Sequence, residues 1–191
     1  MNILVDELDA IVKEKIGNIK INTDFRISIL FELLMQDNTV SKKEKILQSL
    51  QLYYPDLDKI KDFDKAIQDM LWFYRCGKEL ADSKENNIVE RNKQIYSYEF
   101  DDDKIYSAFM EQYNIDLQDI KYLHWWKFKA LFNALSENTQ FVKIMGYRAM
   151  NVNEIKDKKM KKQYRKLQKM YALPDMRTEE EKEYDFGEAF S

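Results

Sequence analysis

The chain of 191 residues contains one Cys, one His, four Gly and two Pro. A single Cys, Cys76, excludes an internal disulfide and suits a reducing compartment. With one Cys and one His there is no cluster of metal-ligand spacing, and no Gly-rich phosphate loop is present, so no metal, cofactor or catalytic residue is assigned. So few Gly and Pro disfavour long loops and all-β architectures. No apolar run approaches the roughly 20 residues that span a bilayer. The opening residues, Met1 to Asp9, show no basic region followed by an apolar core, so no signal peptide is expected. A net charge of −3 gives no general attraction to nucleic acid or anionic membrane.

Hydrophobic residues make up 45% of the chain and charged residues 34%, as in globular rather than disordered proteins. The periodicity is helical, and the expected fold is mainly α, a compact multi-helix bundle. Its organising element is a Trp-rich helix over 116–135, opened by Asp116 as N-cap. At about 100° per residue, one broad arc collects Ile120, Leu123, Trp125, Trp126, Phe128, Ala130, Leu131, Phe132, Ala134 and Leu135. A helix apolar around so much of its girth belongs in a core. His124 and Lys127 fall inside that arc. Either His124 bonds a backbone carbonyl and Lys127 carries its amine out to water, or Lys127 pairs with an acid from a neighbouring helix.

In chain order, Gly17-Asn18 has hairpin chemistry, and a short hairpin over 12–21 competes with, and is preferred to, a helix over 3–15. Thr23 or Asp24 caps a helix to Gln36. Ser41-Lys42-Lys43-Glu44 is a capping box that opens a second helix, ended before Pro55. A third helix runs over 62–76, stopping at Gly77. Residues 78–93 have little to bury and read as a linker or mobile loop. Ile95 to Phe100 alternates, as a short strand or an extended lead-in. Asp101-Asp102-Asp103 reads as helix-start chemistry rather than a metal site, before a helix over 102–113 ended by Asn114. Helices over 139–149 and 154–171 follow. The chain thus divides into 1–77, the linker 78–93, a part 94–174 packed on the first, and an acidic tail 175–191 expected to be poorly ordered when free.

Three features are candidates for binding. The Trp125-Trp126 doublet is either core or, for one of the pair, a partner anchor. Met160, Tyr164, Leu167 and Tyr171 form a single apolar stripe on an otherwise basic helix. The acidic tail carries Tyr184, Phe186 and Phe190, and it neutralises the basic helix in cis or engages a partner. The partner-binding residues are therefore Trp125, Trp126, Met160, Tyr164, Leu167, Tyr171, Phe186 and Phe190. As a lesser reading, the basic helix 154–171 binds nucleic acid through roughly six to eight phosphate contacts. A Cys76–His124 dyad is formally available, but a Cys ending an apolar helix is more often inert.

Several blocks resemble the bacteriophage gene product 15 family. They are Ile21-Asn22-Thr23-Asp24-Phe25-Arg26, Phe73-Tyr74-Arg75-Cys76-Gly77-Lys78, Phe100 to Phe109, Tyr113 to Leu117, Leu123-His124-Trp125-Trp126-Lys127-Phe128 and Phe141 to Arg148. The likeness spans roughly 16–174; Asn114 stands where Gly is more often found. The resemblance implies a small helical protein of tailed phages and prophages, mostly of Gram-positive hosts. Its gene typically lies between those for the tail tube and the tape measure, a place usually held by tail assembly chaperones. The expected function is thus a non-enzymatic assembly factor in the cytoplasm of the bacterial host. Its expected partners are the tape-measure protein and tail tube subunits.

Overall fold

A computed structural model of the chain describes residues 2–17, 19–79 and 94–175. Eight α-helices follow one another there: α1 Leu8–Ile16, α2 Phe25–Gln36, α3 Lys42–Tyr53, α4 Phe63–Tyr74, α5 Asp102–Tyr113, α6 Trp125–Asn133, α7 Gln140–Ala149 and α8 Lys158–Met170. Among the described residues there is no strand, only one antiparallel bridge between Asp24 and His124. The protein is a mainly helical bundle: α2 packs on α3 and α6, α4 on α1 and α3, and α7 on α5 and α8. Buried side chains from Leu8 to Phe141 form one cluster, so residues on either side of 80–93 share a core. Apart from Lys78, Glu79 and Asp175, the expected linker 78–93 and acidic tail 175–191 lie outside the described residues.

The helix starts follow local chemistry. Asp24 accepts from the Arg26 amide at 3.0 Å, Asp62 from Lys65 at 3.0 Å and Thr139 from Val142 at 3.4 Å. Ser41 and Glu44 form a reciprocal capping box. Each bond satisfies an amide that has no partner within its own helix. Asn114 ends α5 at φ 52°, a left-handed conformation Asn tolerates.

Two expectations need correction. The first is the hairpin over 12–21, because α1 occupies Leu8–Ile16 instead. Leu8, Val12 and Ile16 fall at i, i+4 and i+8 and are buried, so one stripe seats the helix. Gly17, at φ 86°, takes the positive φ that a hairpin would also require, but here it ends a helix. The second is the helix over 116–135, which is only Trp125–Asn133. Asp116 caps a single turn, accepting from Gln118 and Asp119 at 2.9 and 3.2 Å. The following segment is extended. The Phe25 amide donates to the Leu123 carbonyl and the Trp125 amide to the Thr23 carbonyl, both at 2.9 Å. Arg26 holds that segment away from helical geometry by donating to the Leu117 and Ile120 carbonyls at 2.9 and 2.7 Å.

His124 is therefore not a misfit on an apolar helix but its N-cap. Its Nδ1 accepts from the Trp126 amide at 3.0 Å, which places the proton on Nε2; that atom is buried and unpartnered among the described residues. Burial, opposed by Asp9 and reinforced by Lys127, brings the His124 pKa down to about 4.

From α6, aromatic rings radiate into every neighbour. Phe128 stacks on Phe25 of α2 and Phe109 of α5, with centroids 4.8 and 5.0 Å away. Trp126 stacks on Phe73 at 5.6 Å and Trp125 on Tyr74 at 5.8 Å. Phe132 meets Tyr96, Tyr98 and Phe141. Both indoles also donate hydrogen bonds: Trp125 Nε1 to the Tyr74 carbonyl at 2.8 Å, and Trp126 Nε1 to the Phe73 carbonyl at 2.7 Å. They thereby cap the end of α4, whose last carbonyls lack intrahelical partners. The far end of α6 is capped in turn by α5: Tyr113 donates to the Leu131 carbonyl at 2.8 Å and Gln112 to the Ala134 carbonyl at 3.0 Å.

Phe128→Ala should lower the unfolding free energy by about 3–5 kcal/mol, read by urea denaturation at unchanged m-value. Leu4→Ala, at a side chain 88% exposed, should stay within about 0.5 kcal/mol. The cap has its own pH signature. An imidazole whose ordinary pKa of 6.5 falls to about 4 in the fold is protonated first in the unfolded chain as pH falls. Its contribution is complete above pH 6.5 and is lost between 6.5 and about 4, amounting to roughly 3 kcal/mol. His124→Asn retains a cap acceptor and should lose less stability over that interval; identical pH slopes for the two proteins would contradict this assignment.

Candidate partner interface

α7 carries Phe141, Ile144 and Arg148 among its buried residues, a cation set in an apolar face. Its guanidinium donates twice to Asp101, Nη1 to Oδ2 at 2.6 Å and Nη2 to Oδ1 at 2.9 Å. Nη1 also donates to the Ile95 carbonyl at 3.1 Å, and Nε to the Tyr171 carbonyl at 2.6 Å. The Ser97 amide completes the set, donating to Asp101 Oδ2 at 3.1 Å. Taking both charges out of water costs several kcal/mol per ion, offset only by a two-pronged pair with its remaining donors satisfied. One side chain thus joins α7, the start of α5, the 95–101 segment and the residue that closes α8.

Asp101 accordingly does not cap α5 with its carboxylate. Among the described residues no three His, Cys, Asp or Glu side chains converge as a metal site. Lys127 is exposed and forms no ion pair among the described residues, so the buried pair considered for it belongs to Arg148. Nor do Cys76 and His124 bond to one another. The Cys76 thiol lies 3.9 Å from the Tyr74 carbonyl, and burial pushes its pKa up, away from the reactive thiolate.

The basic helix starts later than the expected 154. Asp157 caps α8, accepting from the Met160 amide at 2.7 Å, whereas Asn151 forms a turn of its own with Asn153. Among its residues none is buried. At about 100° per residue, Lys158, Lys159, Lys162, Arg165, Lys166 and Lys169 occupy an arc of roughly 120°, and all six are exposed. The opposite side carries Tyr164, Leu167 and Tyr171. Tyr147 of α7 stacks on Tyr171 at 5.9 Å and meets Tyr164 edge-on at 6.2 Å. Gln168 donates to the Met150 carbonyl at 2.6 Å.

Of the expected partner residues, Met160, Tyr164, Leu167 and Tyr171 do share one side of α8. Tyr164, Leu167 and Tyr171 are half-buried, while Met160 remains 50% exposed. Met170, not singled out from the sequence, is 60% exposed. Trp125 and Trp126, at 0% and 2% exposure, offer nothing to a partner in this structure and are removed from the set. Phe186 and Phe190 lie outside the described residues. Arg148 and Asp101 were missed as a pair; the available signal was a cation in line with Phe141 and Ile144.

These features define a small, mainly helical protein whose last described helix is exposed, basic and amphipathic. The chain belongs to the Bacteriophage Gp15 protein family, whose model matches residues 4–173. No curated protein and no solved structure matches it. No described helix is long and apolar enough to cross a membrane.

Breaking the Arg148–Asp101 pair from either side should be costly, because the survivor is a buried unpaired charge. Arg148→Met and Asp101→Leu should each lower stability by about 3–5 kcal/mol. The double variant should lose clearly less than the sum of the two, as urea unfolding of all four proteins would show; additive losses would contradict the coupling.

Proposed function

We propose that this protein is a non-enzymatic tail assembly factor, a chaperone that keeps the tape-measure protein or tail tube subunits soluble in the host cytoplasm until the virion is built. Family membership supplies the phage setting. The observation that supports the role is α8, a helix that buries none of its residues; exposed Met170 borders its strip of cations, and Met160, 50% exposed, lies on the opposite side with Tyr164 and Leu167. Methionine is unbranched and polarizable, so it repacks against partners of different shape. An amphipathic helix is a recurrent recognition element for a second helix or groove, and the flanking charge helps keep the complex in solution. Leu30 and Met35 of α2 and Ile46 and Leu47 of α3 are further exposed apolar side chains.

A second reading has the same cationic strip in its favour, namely binding of nucleic acid through phosphate contacts. That binding would weaken steeply with salt. A mobility-shift assay on a short DNA duplex, at low and moderate salt, separates the two.

Co-expression with the tape-measure protein of the same phage is the direct test. We expect the soluble tape-measure fraction to rise several-fold and a complex to co-purify. Met160→Glu with Met170→Glu should abolish co-purification without lowering the thermal midpoint, since both positions are at least half exposed. Equal solubility without this protein, or no complex, would sink the proposal.

A further inference from the structure

The six exposed cations of α8 have no acidic residue on their own helix to balance them, and they lie opposite the side that meets Tyr147. The sequence that follows carries the complementary charge: Glu179, Glu180, Glu181, Glu183, Asp185 and Glu188, against Arg177 and Lys182. It also carries Tyr184, Phe186 and Phe190, apolar groups of a size to meet Met170, 60% exposed at the border of the strip. The family match ends at residue 173, so this acidic stretch is a property of the chain outside the matched region.

The connection between the two is short and anchored. Arg148 holds the Tyr171 carbonyl at 2.6 Å, and four residues separate Tyr171 from residue 176. Pro174 lacks an amide and opposes continuation of α8. α8, with 13 residues, is about 20 Å long. The 16 residues of 176–191 reach about 24 Å as a helix and up to about 50 Å extended, enough to run the length of α8 in either form. A tether of this length keeps the acids at an effective concentration of about millimolar. Individually weak exposed ion pairs then act together as one intramolecular contact.

We infer that the acidic stretch 176–191 docks in cis along the cationic strip of α8, running antiparallel to it, and covers that strip until an anionic partner displaces it. The antiparallel course pairs Glu179, Glu180 and Glu181 with Lys166 and Lys169. It sets Asp185 and Glu188 beside Lys158, Lys159 and Lys162. The inference goes beyond the assembly role and does not depend on which tail protein is bound.

The test uses the full chain. Zero-length carbodiimide cross-linking, with equal parts of isotopically light and heavy protein, would be read by peptide mass spectrometry. The expected result is light–light and heavy–heavy links in the antiparallel order, abolished at about 0.5 M salt, where screening acts over a few ångströms. Links scattered without order, mixed light–heavy links that show docking on a second copy, or no links at all would each overturn the inference. Independently, the variant with Glu179, Glu180, Glu181 and Glu183 all changed to Gln should bind a fluorescent single-stranded oligonucleotide, used as a polyanion probe, at least about 10-fold more tightly than the parent. Equal binding by the two proteins would mean that the strip is open to nucleic acid already, and would also overturn it.

Discussion

Two indole N–H groups, on adjacent residues of one helix, donate into the last two carbonyls of another. That pair of bonds, from Trp125 to Tyr74 and from Trp126 to Phe73, fixes the distance and rotation between α6 and α4. The rest of the core is arranged around the result. With nine residues, α6 is too short to persist in water on its own propensity. It persists because neighbours satisfy both its ends. His124 and the Thr23 carbonyl meet its first amides, and Tyr113 and Gln112 meet its last carbonyls. Burial of polar atoms is tolerable only when they are paired, so the aromatic packing and the capping scheme require each other.

The second half of the molecule is organised by a different kind of interaction. Where α6 relies on stacked rings, the junction of α5, α7 and α8 relies on one guanidinium. Arg148 contributes geometry more than net energy: a buried ion pair is often no better than apolar side chains of the same volume, but its directionality admits few alternatives. The placement of α8 follows from that direction, through the Tyr171 carbonyl, and from ring contacts of Tyr147. A Bacteriophage Gp15 family protein therefore shows two regimes in one chain, a dry aromatic body and a polar mount that carries an amphipathic helix.

Much of this was readable from residue order, and the misses share a cause. Asp24, Ser41 with Glu44, Asp62, Thr139 and Asn114 mark helix ends through chemistry confined to four or five residues, and the structure places the ends there. Asp116 also does local work, but it caps one turn rather than a helix. The decision was made elsewhere, by Arg26 binding the Leu117 and Ile120 carbonyls across more than 90 positions of sequence. Ile120 and Leu123, in the non-helical stretch that follows this turn, fell by coincidence on helical spacing. Gly17 was ambiguous because a helix stop and a hairpin turn ask for the same positive φ. The two-sided character of α8 was legible as an apolar stripe and as a charge run. It was not legible which Trp-bearing surface stays dry, since both indoles are sequestered by α4 and not by anything adjacent in sequence.

The four bonds of Arg148 are not equivalent. If α8 swings away, only the bond to the Tyr171 carbonyl is given up; the two-pronged link to Asp101 and the bond to Ile95 remain, so the guanidinium is never stranded. Because α8 contributes no buried side chain, its departure would leave the aromatic centre unwetted. Such a segment sits at the low end of the range of local opening energies within a fold. The expected consequence is a hinged arm, whose opening costs less than unfolding of the bundle that carries it.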